Sequence, residues 1–411
     1  MAEHGIDRRG LLAALASTLA LPAVVRAAHG IPVDFAEIRR RARGQTVWFA
    51  AWGGSPEINR YIRWAGERLA ERDGVRLEHV RLRDTAEAVA RIVGEVEAGR
   101  RHEGGSIDLI WINGENFRHL KERGLLFGPL PPRIPNYRLV DVEGNPALTL
   151  DFTIPTEGLE VPWGTAQFVF LHDTARVPEA PVDWAALFAT VRARPGRFTY
   201  PQPPDFVGST FLKHLLHLVG TPRERLLAPV DDATFARFGG AVLERLDDLH
   251  PHMWRKGRSF PRTQGQLHQL LADGEVDFSM SFNPAEASNL ILAGRLPETV
   301  RTFVPREGTI GNAHFLAIPV NADHKEGALV AIDFLLSPEA QARKADPAVW
   351  GDGTVLALAR LDAEARARFA RIPRHPATLP PEARRPVLPE PHPDWMERLE
   401  RAWLERYGRA G

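Results

Sequence analysis

The chain has 411 residues, 44% hydrophobic and 25% charged, with 52 basic residues against 52 acidic ones. That length suffices for two cores, and the balance of charge gives no footprint for nucleic acid or another polyanion. There is no cysteine, so disulfides, iron–sulfur clusters and cysteine zinc sites are excluded, and no cofactor is called for.

Arg8 and Arg9 precede an apolar run from Leu11 to Val25, with small residues after it. Residues 1–27 read as an export signal cleaved after Ala27, too short and wrongly flanked for a transmembrane helix. The stretch DRRGLLAAL resembles a twin-arginine signal; a general secretion signal is the alternative. No later segment is apolar for long enough to span a bilayer. The expected location is periplasmic.

Residues 33–43, with Arg39, Arg40, Arg41 and Arg43, read as a solvated helix. The next stretch, TVWFAAWGGSPEINR from Thr46 to Arg60, reads as a strand, a tight glycine turn and a helix start. Ser55 suits the N-cap and Pro56 the first helical position. Ile58, Ile62, Ala65 and Leu69 then share one helical face. The N–H groups of that helix start stand beside Trp52 and Ser55, where they suit an anion or a carbonyl oxygen; ordinary capping is the alternative. Val75–Leu82 reads as a second strand. Asp84 and Glu87 open the next helix in the manner of a capping box, and Ile107–Ile112 is a third, almost wholly apolar strand. The alternation predicts an α/β fold with helices on both faces of a sheet.

In such sheets ligands bind outside the carboxyl ends of the strands. Those ends carry Trp52–Ser55, Arg83–Asp84 and Asn113–Phe117. Asn113, Glu115 and Asn116 are unusually polar for a turn leaving a buried strand and offer donors and acceptors; turn formation alone is the alternative.

Residues 128–158 read as a surface excursion, and Glu157–Asp173 as a long strand. Asp183 starts a helix, and Phe198–Tyr200 begins a strand. After an irregular turn with Gly208 and Ser209, a helix runs from about Thr210. Thr263–Ala272 is helical, Val276–Ser281 is a strand, and Asn283-Pro284 starts another helix. Val300–Val304 and His314–Pro319 are strands, and Ser337-Pro338-Glu339 caps a later helix. Residues 371–393 hold eight prolines and suggest an extended strap. Asp394–Tyr407 is a final helix with Met396, Leu399 and Trp403 inward.

WFAAWGGSPEINRYI, DLIWINGENFRHLKERGLL, YPQPPDFVGSTFLKHLL and GNAHFLAIP, with a later helix ending FLLSPEAQ, together resemble a known family. It is the periplasmic solute-binding proteins of ATP-binding-cassette importers, a class that includes polyamine, iron and thiamine binders, and the resemblance is nearest to its YnjB-type branch. It runs from about residue 46 to 360. It implies a type II periplasmic-binding-protein fold, with two α/β lobes, mixed sheets flanked by helices, and a ligand cleft between them. Residues 28–160 with 305–370 form lobe 1 by that analogy, and 161–304 lobe 2. Crossings fall near Glu160–Phe170 and Phe303–Phe315, and 371–411 makes the strap and last helix.

The implied role is capture and hinge closure rather than chemistry, with delivery to a membrane permease by a monomer. The cleft-facing candidates are Trp52, Gly53, Gly54 and Ser55 from the first turn, and Asn113, Glu115 and Asn116 from the third. Trp163 comes from the crossing strand, Ser209 and Thr210 from the second lobe, and Asn283, Asn312 and His314 from later turns. Trp52 and Trp163 suit stacking on a flat or cationic group; core packing is the alternative for each.

Iron carriage in this class uses adjacent tyrosines, whereas Tyr61, Tyr137, Tyr200 and Tyr407 are isolated. A polyamine needs carboxylates and aromatics, and Glu115, Glu160 and Asp205 are interleaved with donors, so it fits less well. Helix starts and glycine turns favour a phosphate or carboxylate end on a flat or cationic body; thiamine and its phosphates match that description. Two rival readings stand beside import. One is an exported metal-dependent hydrolase built on His214, His217, His250 and His252, although no H-E-x-x-H, G-x-S-x-G or P-loop is present. The other is a solute-sensing receptor lobe.

Overall fold

In β1 (Thr46–Trp52) the inward residues Val47, Phe49 and Ala51 are fully buried while Trp48 stays exposed. The computed structural model describes residues 30–408, and everything from Pro32 on falls in one unit. The expected export signal lies outside the described residues. Among them no helix is long and apolar enough to cross a membrane.

β1 leads through Gly53 and Gly54 into α1 (Pro56–Asp73), capped by Ser55. β2 (Arg76–Leu82) leads to α2 (Thr85–Glu97), capped by Asp84. β3 (Leu109–Ile112) leads to α3 (Gly114–Glu122). Both β2 and β3 pair with β1 in parallel, so the three carboxyl ends stand along one edge, as the alternating pattern requires. β4 (Glu160–Gln167) and β8 (Thr309–Pro319) complete this larger mixed sheet; β8 lies antiparallel to both β3 and β4. The short strand Val387–Leu388 adds to its far edge beside β8.

A smaller sheet holds β5 (Val169–Asp173) at its centre, between β6 (Phe278–Ser281) and β7 (Val300–Phe303). Its pairings are antiparallel. The chain passes from the larger sheet to the smaller through Phe168, whose N–H donates to the Ile310 carbonyl at 2.8 Å. It returns between β7 and β8. The smaller sheet and its helices enclose a core in which Phe170, Trp184, Phe211, Trp395 and Trp403 are almost wholly buried.

Three local expectations are corrected. Phe198–Tyr200 is not a strand. Pro201, Pro203 and Pro204 follow it and have no N–H to give a ladder, and the Phe198 carbonyl accepts from the Trp254 N–H instead. The helix there, α4 (Phe206–Leu218), starts four residues early because Asp205 caps it, accepting from Val207 and Gly208 N–H at 3.0 and 3.3 Å. Gly208 therefore sits in the first turn, where a Cβ would fall 1.9 Å from the Pro201 carbonyl oxygen. The helix after Pro284 begins only at Glu286; Asn283 accepts from the Ala285 N–H at 3.0 Å and forms a turn before it.

Candidate functional site

Protein groups already take one N–H at the helix starts that follow the first and third strands. Ser55 accepts from the Ile58 N–H at 3.3 Å and donates to Glu57 at 2.9 Å. Gly53 gives its N–H to the Leu82 carbonyl, 2.9 Å away. Half-buried Trp52 lays its indole along Gly54, where a Cβ would lie 2.3 Å from the ring. At the third strand end, Asn113 occupies the cap position without a side-chain cap bond. Gly114 has φ of 62° and donates to Asp151 at 2.7 Å. Buried Asn116 donates to Glu115 at 2.7 Å.

Asp151 belongs to a hairpin whose turn holds Phe152 at a φ of 53°, a conformation costing on the order of 1 kcal/mol or more outside glycine. That turn points the Phe152 ring at Lys213 of α4, 4.7 Å from ammonium nitrogen to ring centroid. Phe206, on α4 itself, faces the same ammonium at 5.0 Å. Lys213 is fully buried and pairs with Glu390 of the strap at 2.7 Å. Asn312 donates to the other oxygen of Glu390 at 2.9 Å. One α4 turn away, Ser209 donates to Glu400 of α5 (Pro393–Tyr407) at 2.5 Å.

These groups come from both sheet halves and from the C-terminal segment, and they interact electrically. Glu115 is pushed up to about 8, first by burial and further by the charge of Glu400. Glu400 is pushed up to about 7 by burial. Burial also raises Asp151, well above the usual carboxylate range, and Glu390, which the Lys213 ammonium pulls back down. Lys213 is the cation acting on all four carboxyls. Asp84, at the second strand end, adds repulsion to Glu115 and Glu400. Among the described residues, the second oxygen of Asp151 has no hydrogen-bond partner. The centre is thus rich in carboxylate and aromatic faces and short of positive charge.

The other expected residues lie elsewhere or serve the backbone. Thr210 is fully buried and donates to the Phe206 carbonyl at 2.7 Å. Trp163 is fully buried in an aromatic cluster with Phe49, Tyr61, Trp111 and Trp350. His314 stacks on Trp350 at 5.8 Å and meets Asp352 at 3.0 Å within that cluster. Asn283 donates to the Trp350 carbonyl at 3.0 Å, tying the smaller half to the larger. The structure therefore brings Glu115, Asn116, Ser209 and Asn312 to one centre, with Asn113 at its edge. Lys213, Glu390, Glu400, Phe152 and Phe206 were not singled out from sequence. A lysine inside the apolar run FLKHLLHL, and a glutamate on the same helical stripe as Met396 and Trp403, are the signals that mark them.

Of the four histidines raised by the hydrolase alternative, His214 and His250 are buried in the smaller half, and His217 and His252 are partly exposed. His214 accepts from the Ile310 N–H at 2.8 Å, and its other ring nitrogen lies 2.8 Å from the Thr210 carbonyl. His250 meets the Tyr200 hydroxyl at 2.8 Å.

The model of the bacterial extracellular solute-binding protein family matches residues 64–370. Protein YnjB of Escherichia coli (strain K12) is 46% identical over 376 residues, 91% of this chain and 94% of that protein. The fold is similar to the spermidine/putrescine ABC transporter substrate-binding protein PotD from Streptococcus pneumoniae, with a TM-score of 0.61 at 15% identity, covering 89% of this chain and 99% of that one. It is equally similar to an ABC transporter substrate-binding protein from Bradyrhizobium japonicum USDA 110, with a TM-score of 0.61 at 19% identity, covering 88% and 99%. Proteins of this kind bind and present solutes and are not enzymes, so the hydrolase alternative is not favoured. The chain belongs to the bacterial extracellular solute-binding protein family.

Proposed function

We propose that the protein captures a small organic cation in the cleft between its two sheet halves and hands it to an ABC permease, acting as a monomer. The observation that carries this reading is the sharing of one lysine by four carboxyl groups, with two phenylalanine faces beside it. A positively charged solute would meet carboxylates of Glu115, Glu400 and Asp151, and its flat or methylene body would lie against Phe152 and Phe206. An anionic end has less support than the sequence suggested, because the helix starts at Ser55, Gly114 and Asp205 already give one or two of their N–H groups to protein oxygens. Thiamine and the polyamines share the required chemistry; PotD, a structural relative, is named for spermidine and putrescine. Export through the twin-arginine route, with cleavage after Ala27, belongs to the same proposal.

The experiment is a thermal-shift and calorimetric panel at pH 8 on the mature chain, using thiamine, putrescine and spermidine against inorganic phosphate and citrate. The expected result is a raised melting temperature with the cations and none with the anions. A response confined to the anions overturns the assignment of charge, and stimulation of the partner permease's ATPase by loaded protein alone tests delivery.

A further inference from the structure

The match to the family model ends at residue 370, yet two carboxylates of the cleft, Glu390 and Glu400, lie beyond it. The segment that carries them is built into both halves. Val387–Leu388 pairs in parallel with Thr309–Ile310 at the edge of the larger sheet, and the Arg384 carbonyl accepts from Gln167 at 2.6 Å. α5 then roots in the smaller half. Trp395, Leu399 and Trp403 are buried in its core, and the Trp403 indole donates to the Tyr200 hydroxyl at 2.7 Å. The opposite side of α5 faces the larger half. There Arg118 of α3 spreads its guanidinium between Asp394 and Glu397, one turn apart on α5. Arg118 is mostly buried, its side chain 18% exposed, so this fork is better shielded than a surface pair.

We propose that the C-terminal strap and helix are the latch of the cleft: Glu390 and Glu400 complete the solute cage, and the Arg118 fork holds the two halves closed over it. The strap is itself a third covalent crossing, and the fork adds to the bonds that already join the halves, such as Asn283 to the Trp350 carbonyl. Opening the cleft separates α3 from α5, so the fork breaks when the solute leaves. The same helix that supplies a cage carboxylate thus sets the residence time. The cage part of this inference rests on the proposed cation reading; the fork part does not.

The test uses full-length mature protein with a donor–acceptor dye pair on Arg63→Cys and Asp248→Cys, exposed positions on the two halves. No native cysteine competes for the labels. Without solute, Arg118→Met is expected to shift the distance distribution toward longer separations, and Asp394→Asn with Glu397→Gln, which leaves the arginine in place, should reproduce it. With spermidine and thiamine as probes, both variants should release the probe about tenfold faster than the parent, while Glu400→Gln should weaken probe binding without lengthening the unliganded distances. Unchanged distances in both fork variants overturn the latch. If neither probe binds the parent but the distances respond, the cation reading fails and the latch stands. If Glu115→Gln weakens probe binding while Glu400→Gln does not, the cleft reading stands and the helix is no part of the cage.

Discussion

Replacing Lys213 by methionine isolates the electrostatics of the centre. The ammonium is fully buried, 2.7 Å from Glu390, and flanked by two aromatic faces at 4.7 and 5.0 Å. Its removal leaves Glu390, itself almost fully buried, without a countercharge. Breaking one side of such a pair costs about 3–5 kcal/mol. With an unfolding entropy of about 2.1 cal/mol/K per residue over about 380 residues, about 4 kcal/mol lowers the melting temperature by about 5 °C. The deficit must depend on pH in a set direction. Glu390 is already raised from its ordinary 4.5 by burial, and without Lys213 it rises further. An acid raised in the folded state stabilises that state below its unfolded value and loses the contribution as pH climbs through the folded one. The variant should therefore melt close to the parent near pH 4.5 and well below it at pH 8. The assay is thermal denaturation by circular dichroism at both pH values, with Lys213→Met plus Glu390→Gln as the third arm. That pair keeps an acceptor for Asn312 and removes the orphaned charge, so it should recover most of the loss. A double variant as unstable as the sum of the singles, or a deficit independent of pH, refutes the reasoning.

Three further outcomes follow from the same geometry. Gly114→Ala forces a side chain into a φ of 62° and within 2.8 Å of the Phe152 ring; a loss of about 1–3 kcal/mol by denaturant titration is expected, together with weaker cation binding because Phe152 is displaced from Lys213. Trp163→Phe removes a buried indole N–H that has no partner among the described residues; it should cost about 1–2 kcal/mol of stability and leave solute affinity unchanged, and a large loss of affinity at equal stability would return Trp163 to the cleft. Calorimetry in buffers of different ionisation enthalpy at pH 7 should find protons released on cation binding, because Glu115 and Glu400 titrate at about 8 and about 7 and must ionise to pair; the release should shrink in Glu115→Gln.

The architecture was legible because it is written in local periodicity. The apolar run at Val47–Ala51, the caps Ser55, Asp84, Asp183 and Ser337, and the helix stripe of Met396, Leu399 and Trp403 all appear where the sequence put them, and the strand read over Ile107–Ile112 starts two residues later, at Leu109. The carboxylate and lysine cluster was only half legible. Strand-end logic located Asn113–Asn116 and the helix carrying Ser209, since topology alone decides which edge those turns share. It had no hold on Lys213, Glu390 or Glu400. Lys213 and Glu390 are 177 residues apart, and which distant charge a buried lysine meets is set by the packing of the strap. The tryptophans misled for a related reason. Trp52 and Trp163 both sit on strands near the cleft, but Trp163 points into the aromatic cluster of the larger half, and residue type does not tell which face of a doubly covered strand is solvent.

The raised carboxyls also bear on what keeps an empty cleft from staying shut. Closure gathers Glu115, Glu400 and Asp151 around a single ammonium, and an open cleft returns Glu115 and Glu400 to water, where the ordinary value near 4.5 applies. Below that value both are protonated in either form and closure carries no charge penalty. As pH rises toward 8 the open form ionises first, and the closed form follows only at about 7 for Glu400 and about 8 for Glu115. For Glu115 alone the difference between pH 5 and pH 8 is about 1–3 kcal/mol once its partial exposure is discounted. A bound cation removes the penalty by supplying the missing charge, so its differential contact with the closed state grows over the same range in which the empty closed state weakens. Unliganded protein carrying the two dyes should therefore open progressively from pH 5 to pH 8, and saturating cation should abolish that trend. An empty cleft whose separation is flat across this range would mean that the carboxyls do not leave the site on opening, and the coupling of solute charge to closure would fall with it.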